Sequence, residues 1–175
     1  MSTVVQRIIL NKADSKNKQA VRPFRVLAAF LCFCFFLSTA VPAGAQSSRY
    51  IDKHRLLATK LSHEYDIPVA IILAVAIVES SSGQASVARR FHNHFGIAGR
   101  NGYKGKRKSR YKAYKNDAAS FLDFCKVISR KRFYLNLKGN TDYKLWISEI
   151  SKTGYSEAPA EWQKRVLQTI AVNHL

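Results

Sequence analysis

The sequence predicts an α+β fold dominated by helices, a single domain carrying one small β element. Three observations predict it. Apolar residues recur at helical spacing in several separate stretches. One further segment, residues 68–79, is apolar nearly all round, as a central buried helix would be. Gly, Asn and Tyr, the residues of turns and short strands, are concentrated between residues 91 and 115.

Residues 1–25 are polar and basic, with Arg7, Lys12, Lys16, Lys18, Arg22 and Arg25 against Asp14 alone. An uncharged run over 26–42 follows, then Ala43-Gly44-Ala45. A basic stretch, a short apolar stretch and an A-x-A site read as a secretory signal peptide over 1–45. The alternative is a retained membrane anchor, although the run is short for a span of about 20 apolar residues. A lipoprotein signal does not fit, because Cys32 and Cys34 are not preceded by small residues. Residues 46–50 read as a short linker and 51–175 as the folded domain.

Within that domain, Ile51, Leu56, Leu57, Leu61 and Tyr65 mark a first amphipathic helix. Pro68 suits the first turn of the second, which runs to Glu79 and stops at Ser80-Ser81-Ser82-Gly83. A short helix is expected over 84–90. Residues 91–115 read as loop and β-hairpin, packed by Tyr103, Tyr111 and Tyr114. Asn116 or Asp117 caps a helix reaching about Lys131, with Phe121, Phe124, Cys125 and Ile128 on one face. Residues 142–151 form another helix, broken by Gly154-Tyr155. Pro159 opens the last, with Trp162, Val166, Leu167 and Ile170 inward. Six helices result.

Of 29 Lys and Arg and 11 Asp and Glu, residues 1–45 hold six and one, which leaves a net charge of +13 on the remainder. Such an excess favours an anionic partner, and export argues against nucleic acid. Removal of 1–45 leaves Cys125 as the one cysteine, so no internal disulfide can form and the core must hold the fold. Cys125 reads as a small buried apolar residue.

Glu79 is the most informative residue. A carboxyl at the end of an apolar helix is costly to ionise, and the helix dipole disfavours negative charge at a C-terminus. Both effects favour the protonated form that a general acid needs near neutral pH. The plain alternative is a glutamate emerging into solvent.

The surrounding residues resemble a known family, the endo-β-N-acetylglucosaminidases of glycoside hydrolase family 73. AIVESSSGQASVA (76–88) is similar to its helix ending in Glu-Ser, and Asn93-His94-Phe95-Gly96-Ile97 to its N-x-F-G-I segment. The Tyr-rich stretch 103–124 and Thr153-Gly154-Tyr155-Ser156-Glu157-Ala158-Pro159 follow in the family's order. The resemblance implies a lysozyme-like fold with a groove and a small β-lobe. It also implies hydrolysis of the β-1,4 bond after N-acetylglucosamine in peptidoglycan, with Glu79 as acid and Tyr155 at the scissile sugar. Substrate-binding candidates are Asn93, His94, Phe95 and Gly96, with Tyr103 and Tyr114 stacking on sugars; Phe95 and Ile97 also read as core.

One departure stands out. In the family's S-x-x-E-S-F pattern this chain has Asn116-Asp117-Ala118-Ala119-Ser120-Phe121, so Ala119 takes the Glu position. Glycosidases ordinarily use two carboxylates, with substrate-assisted enzymes as an exception. Three readings stay open: the substrate's 2-acetamido group as nucleophile, Asp117 or Asp123 as base, or a non-catalytic envelope-binding module. His92 and His94 lack a third ligand nearby in sequence, so no metal is expected, and no cofactor. Expected partners are peptidoglycan and, for the basic 104–115 run, anionic wall polymers. The protein is expected to be a monomer exported to the periplasm, cell envelope or exterior, meeting a membrane only if 1–45 is retained.

Overall fold

The structure, a computed structural model, describes residues 43–99 and 109–175. Residues 1–42 of the signal peptide read over 1–45, and Tyr103 in the Tyr-rich stretch, lie outside the described residues. Among the described residues no helix is long and apolar enough to cross a membrane.

Helix α1 spans Ala43–Tyr65. The stretch 46–50, expected as a linker, is therefore helical, and Tyr50 within it is buried. The buried stripe of α1 also differs from expectation. It runs Tyr50, His54, Ala58 and Leu61, spacings of three and four residues, whereas Leu56 is 84% exposed. A histidine thus holds a core position that the apolar pattern had assigned elsewhere.

Helix α2, Val69–Ser80, is buried at every position from Ile71 to Val78. It is the central helix the sequence predicts, packed against α1 and against the last helix. It ends abruptly because Ser81 and Ser82 take left-handed backbone conformations (φ 49° and 53°). Ser80 Oγ secures this turn by accepting from Gly83 N at 2.8 Å.

Helix α3, Ser86–Phe91, leads into the segment 92–99. The β element there is one antiparallel bridge, Ala98 with Tyr111. It is flanked by Gly99 N to Arg110 O at 2.8 Å and Lys112 N to Ile97 O at 2.9 Å. The expected hairpin is thus reduced, among the described residues, to a single bridged pair.

Helix α4, Asp117–Ser129, is capped by Asn116, whose side chain accepts from Ala119 N at 3.0 Å. Its inward face is the expected Phe121, Phe124, Cys125 and Ile128, all fully buried. Burial pushes the Cys125 thiol up to about 12, so it behaves as an apolar residue. A short helix α5, Tyr134–Leu137, was not anticipated. It is tied back by Tyr134 OH to Tyr65 O at 2.7 Å. Helix α6, Tyr143–Lys152, starts at an Asp142 cap. Helix α7, Pro159–Asn173, has proline in its first turn and packs on α2 and α6.

Candidate active site

Glu79 stands in the last turn of α2, where the buried apolar face gives way to the left-handed turn. Its Oε1 accepts a hydrogen bond from Trp162 Nε1 of α7 at 2.7 Å. Gly96 faces its other oxygen: a Cβ built there would lie 3.7 Å from Oε2. Gly96 holds φ of +63°, a conformation that disfavours any side chain, so the backbone reaches the carboxyl unshielded. Burial raises the Glu79 pKa, opposed in part by the Trp162 hydrogen bond and by the charge of Arg165. A single neutral N–H and a more distant guanidinium leave the burial effect dominant. The arrangement is that of a carboxyl able to donate a proton to a ligand.

Tyr155 lies beside this carboxyl. Its hydroxyl donates to the Phe95 carbonyl at 3.1 Å, and its ring stands 5.4 Å from the Trp162 ring and 6.4 Å from Phe124. Burial, then the nearby Glu79, push its pKa well above the ordinary tyrosine value, so the phenol stays neutral. Four segments thus converge on Glu79: the end of α2, the Gly96 turn, the loop carrying Tyr155, and α7. Trp162 was expected only as an inward core residue. Its indole N–H gives it a polar role that apolar periodicity does not reveal.

The other members of the N-x-F-G-I segment play supporting roles. Asn93 is buried and clamps the turn: its Nδ2 donates to Ile97 O at 2.9 Å and Lys112 O at 3.0 Å, while Oδ1 accepts from Ile97 N at 3.0 Å. These bonds occupy the amide, which corrects the expectation that it meets sugar. Phe95 is core, stacked on Phe124 at 4.2 Å and edge-on to Phe121 at 5.0 Å. Only its carbonyl is directed toward Tyr155. Tyr114 is half-buried and donates to Asp123 Oδ2 at 2.7 Å.

His94 does not line a groove. It is 4% exposed, its Nδ1 lies 2.8 Å from Tyr50 OH, and its Nε2 lies 3.1 Å from Asp117 Oδ1, outside hydrogen-bonding alignment. Asp117 itself gathers Lys53 at 2.8 Å, His92 at 2.8 Å and His54 at 3.3 Å. Burial pushes its carboxyl upward, but these donors outweigh burial and hold it well below the usual range. Asp123 is likewise committed, to Lys112 Nζ at 2.8 Å and to Tyr114. Ala119 lies in the first turn of α4 and lines a hollow of about 350 Å³ against Leu57, Lys60, Leu61 and Glu64 of α1. A longer side chain at 119 would meet that hollow and the lysines at its edge.

Comparisons with known proteins bear on the family and the fold. Residues 56–175 match the glucosaminidase family, described as mannosyl-glycoprotein endo-beta-N-acetylglucosaminidase. The fold is similar to the catalytic domain of the autolysin Auto from Listeria monocytogenes (TM-score 0.60, 17% identity, 85% of this chain and 94% of that one). It is also similar to the glycoside hydrolase domain of FlgJ from Salmonella typhimurium (TM-score 0.58, 20% identity, 71% and 86%). A peptidoglycan hydrolase mutant from Sphingomonas sp. A1 aligns at TM-score 0.57 with 20% identity, over 72% and 96%. No curated protein sequence matches the chain.

Proposed function

The chain belongs to the glucosaminidase family, and on that premise we propose that it hydrolyses the β-1,4 bond after N-acetylglucosamine in peptidoglycan, with Glu79 as the proton donor. The observation that carries the reading is the setting of Glu79: a carboxyl kept toward its protonated form by burial, reached by an open glycine turn and held by Trp162. Solved domains of the same fold include an autolysin and peptidoglycan hydrolases, which supports peptidoglycan as the substrate class.

The second catalytic group is proposed to be the substrate's own 2-acetamido oxygen. Residues 80–116 contain no Asp or Glu, and Asp117 and Asp123 are each occupied by cations. In this scheme Glu79 gives its proton to the glycosidic oxygen as the C–O bond breaks. The acetamido oxygen closes on the anomeric carbon, and water then opens that ring while returning a proton to Glu79. Tyr155, neutral and anchored on the Phe95 carbonyl, would position the amide. Export through residues 1–45 and action as a monomer in the cell envelope complete the proposal, with the basic 104–115 run available to anionic wall polymers.

The test is digestion of purified peptidoglycan with the protein, followed by mass spectrometry and NMR of the new reducing ends. Wild type should release N-acetylglucosamine ends whose first-formed anomer retains the β configuration, and Glu79→Gln should not. Inverted product would assign a protein carboxylate activating water. Intact glycan that still retains the protein would establish a binding module instead.

A further inference from the structure

The cluster around Asp117 is not used by the proposed chemistry, yet it buries two histidines. His54 is 3% and His94 4% exposed, on α1 and on the 92–94 turn, and both direct Nε2 at the one carboxylate at the start of α4. No two of the three ligand atoms are further apart than 4.8 Å.

The proton positions make this arrangement demanding. His54 Nδ1 lies 2.9 Å from the Tyr50 carbonyl, which can only accept, so that nitrogen carries a hydrogen. Its Nε2 lies 3.3 Å from Asp117 Oδ2, within hydrogen-bond distance, so this nitrogen presents to the carboxylate either a second hydrogen or a lone pair that a metal ion would occupy. His94 Nε2 is buried without a hydrogen-bond partner, aimed at the same carboxylate. Two buried imidazole Nε2 atoms converging on one carboxylate need a positive charge among them, which either protons on the imidazoles or a metal ion supplies.

We propose that His54, His94 and Asp117 form a binding site for a divalent transition-metal ion of the zinc type. Two imidazoles and one carboxylate are a common zinc donor set, with water in the fourth position. Tetrahedral bonds of about 2.0–2.2 Å require donors about 3.4 Å apart, so from separations within 4.8 Å the widest pair closes by at most about 1.4 Å. The outer groups of a metal site are already in place. His54 Nδ1 donates to a backbone carbonyl, His94 Nδ1 meets Tyr50 OH, and Lys53 and His92 sit on the carboxylate. An ion here would tie α1, the 92–94 turn and α4 together, and that turn leads directly into Phe95 and Gly96 beside Glu79.

The experiment uses the untagged chain stripped with chelator. Zinc titration by calorimetry should show one ion per chain, and cobalt(II) should give the absorption bands of a tetrahedral site. Zinc should raise the melting temperature, and chelator should lower it again. His54→Gln and Asp117→Asn should each weaken zinc binding by at least about 100-fold, the upper end of what loss of an outer-shell partner costs. If a variant fails to fold, the cobalt spectrum and the zinc-dependent melting of wild type still decide. Absence of stoichiometric binding, or equal binding by folded His54→Gln, overturns the site and leaves an imidazolium–carboxylate cluster.

Discussion

Glu79 and Asp117 are both carboxyls half-buried in the same domain, and their surroundings drive them in opposite directions. Burial pushes each toward the protonated form. Glu79 meets one neutral indole N–H and the field of Arg165, too little to reverse that push. Asp117 meets a lysine and three histidines, and is held firmly ionised. Burial alone does not make a proton donor; the number and charge of the donors around the carboxyl decide.

Removing the proton from Glu79 should have the largest effect. Glu79→Gln keeps the acceptor for Trp162 and loses only the acid, so turnover should fall by about 10²–10⁴-fold while the melting temperature holds. Peptidoglycan digestion beside thermal unfolding checks both halves. A loss of folding with the loss of activity would sink the assignment.

The next largest effect concerns pH. A raised carboxyl pKa means that the proton-donating form persists to higher pH, and activity declines as pH rises through that pKa. The linked stability has the same sign: it is complete below the unfolded-state pKa and diminishes as pH rises through the folded one. Trp162→Phe removes a donor that favours the carboxylate, so the falling limb of the pH–rate profile should move upward. A hydrogen bond worth about 1 kcal/mol corresponds to somewhat under one pH unit. A limb that stays in place would show that another group titrates.

Gly96→Ala tests the open side of the site. A side chain at φ of +63° costs about 1–2 kcal/mol, and its methyl would stand against Glu79 Oε2. Lower stability together with lower kcat is the expected outcome; a purely stability-based effect would separate the turn from the chemistry. The smallest effect is expected at Lys53, whose side chain is 66% exposed. Lys53→Ala should change stability by no more than about 1 kcal/mol, because an exposed ammonium is screened by water. Chemical denaturation would reveal a larger role.

Much of this was legible in the chain. Residues 68–79 are apolar on every side, and such a segment has no solvent face to choose, so its burial follows from composition. Pro159 at the start of α7, Asn116 as a cap and the Phe121–Ile128 face of α4 are local signals that the fold obeys. The first helix was less legible. His54 lies on the core stripe while Leu56 is exposed, because three aromatic neighbours, Tyr50, His94 and Phe121, make a pocket for an imidazole. None of those contacts is local in sequence except Tyr50. The Asn93 side chain, a candidate for substrate, clamps the turn instead, while Phe95 fills the core as its apolar character also predicts, leaving the backbone around Gly96 exposed to Glu79.

Local sequence sets the helical framework, the place where α2 ends, and the presence of a carboxyl at that end. These depend on near-neighbour spacing and on backbone preferences. Tertiary structure alone decided what the carboxyls become. Trp162 reaches Glu79 across 83 residues, and His54 reaches Asp117 across 63. Protonation depends on groups within a few ångströms in space. Such distances are set only when the helices pack.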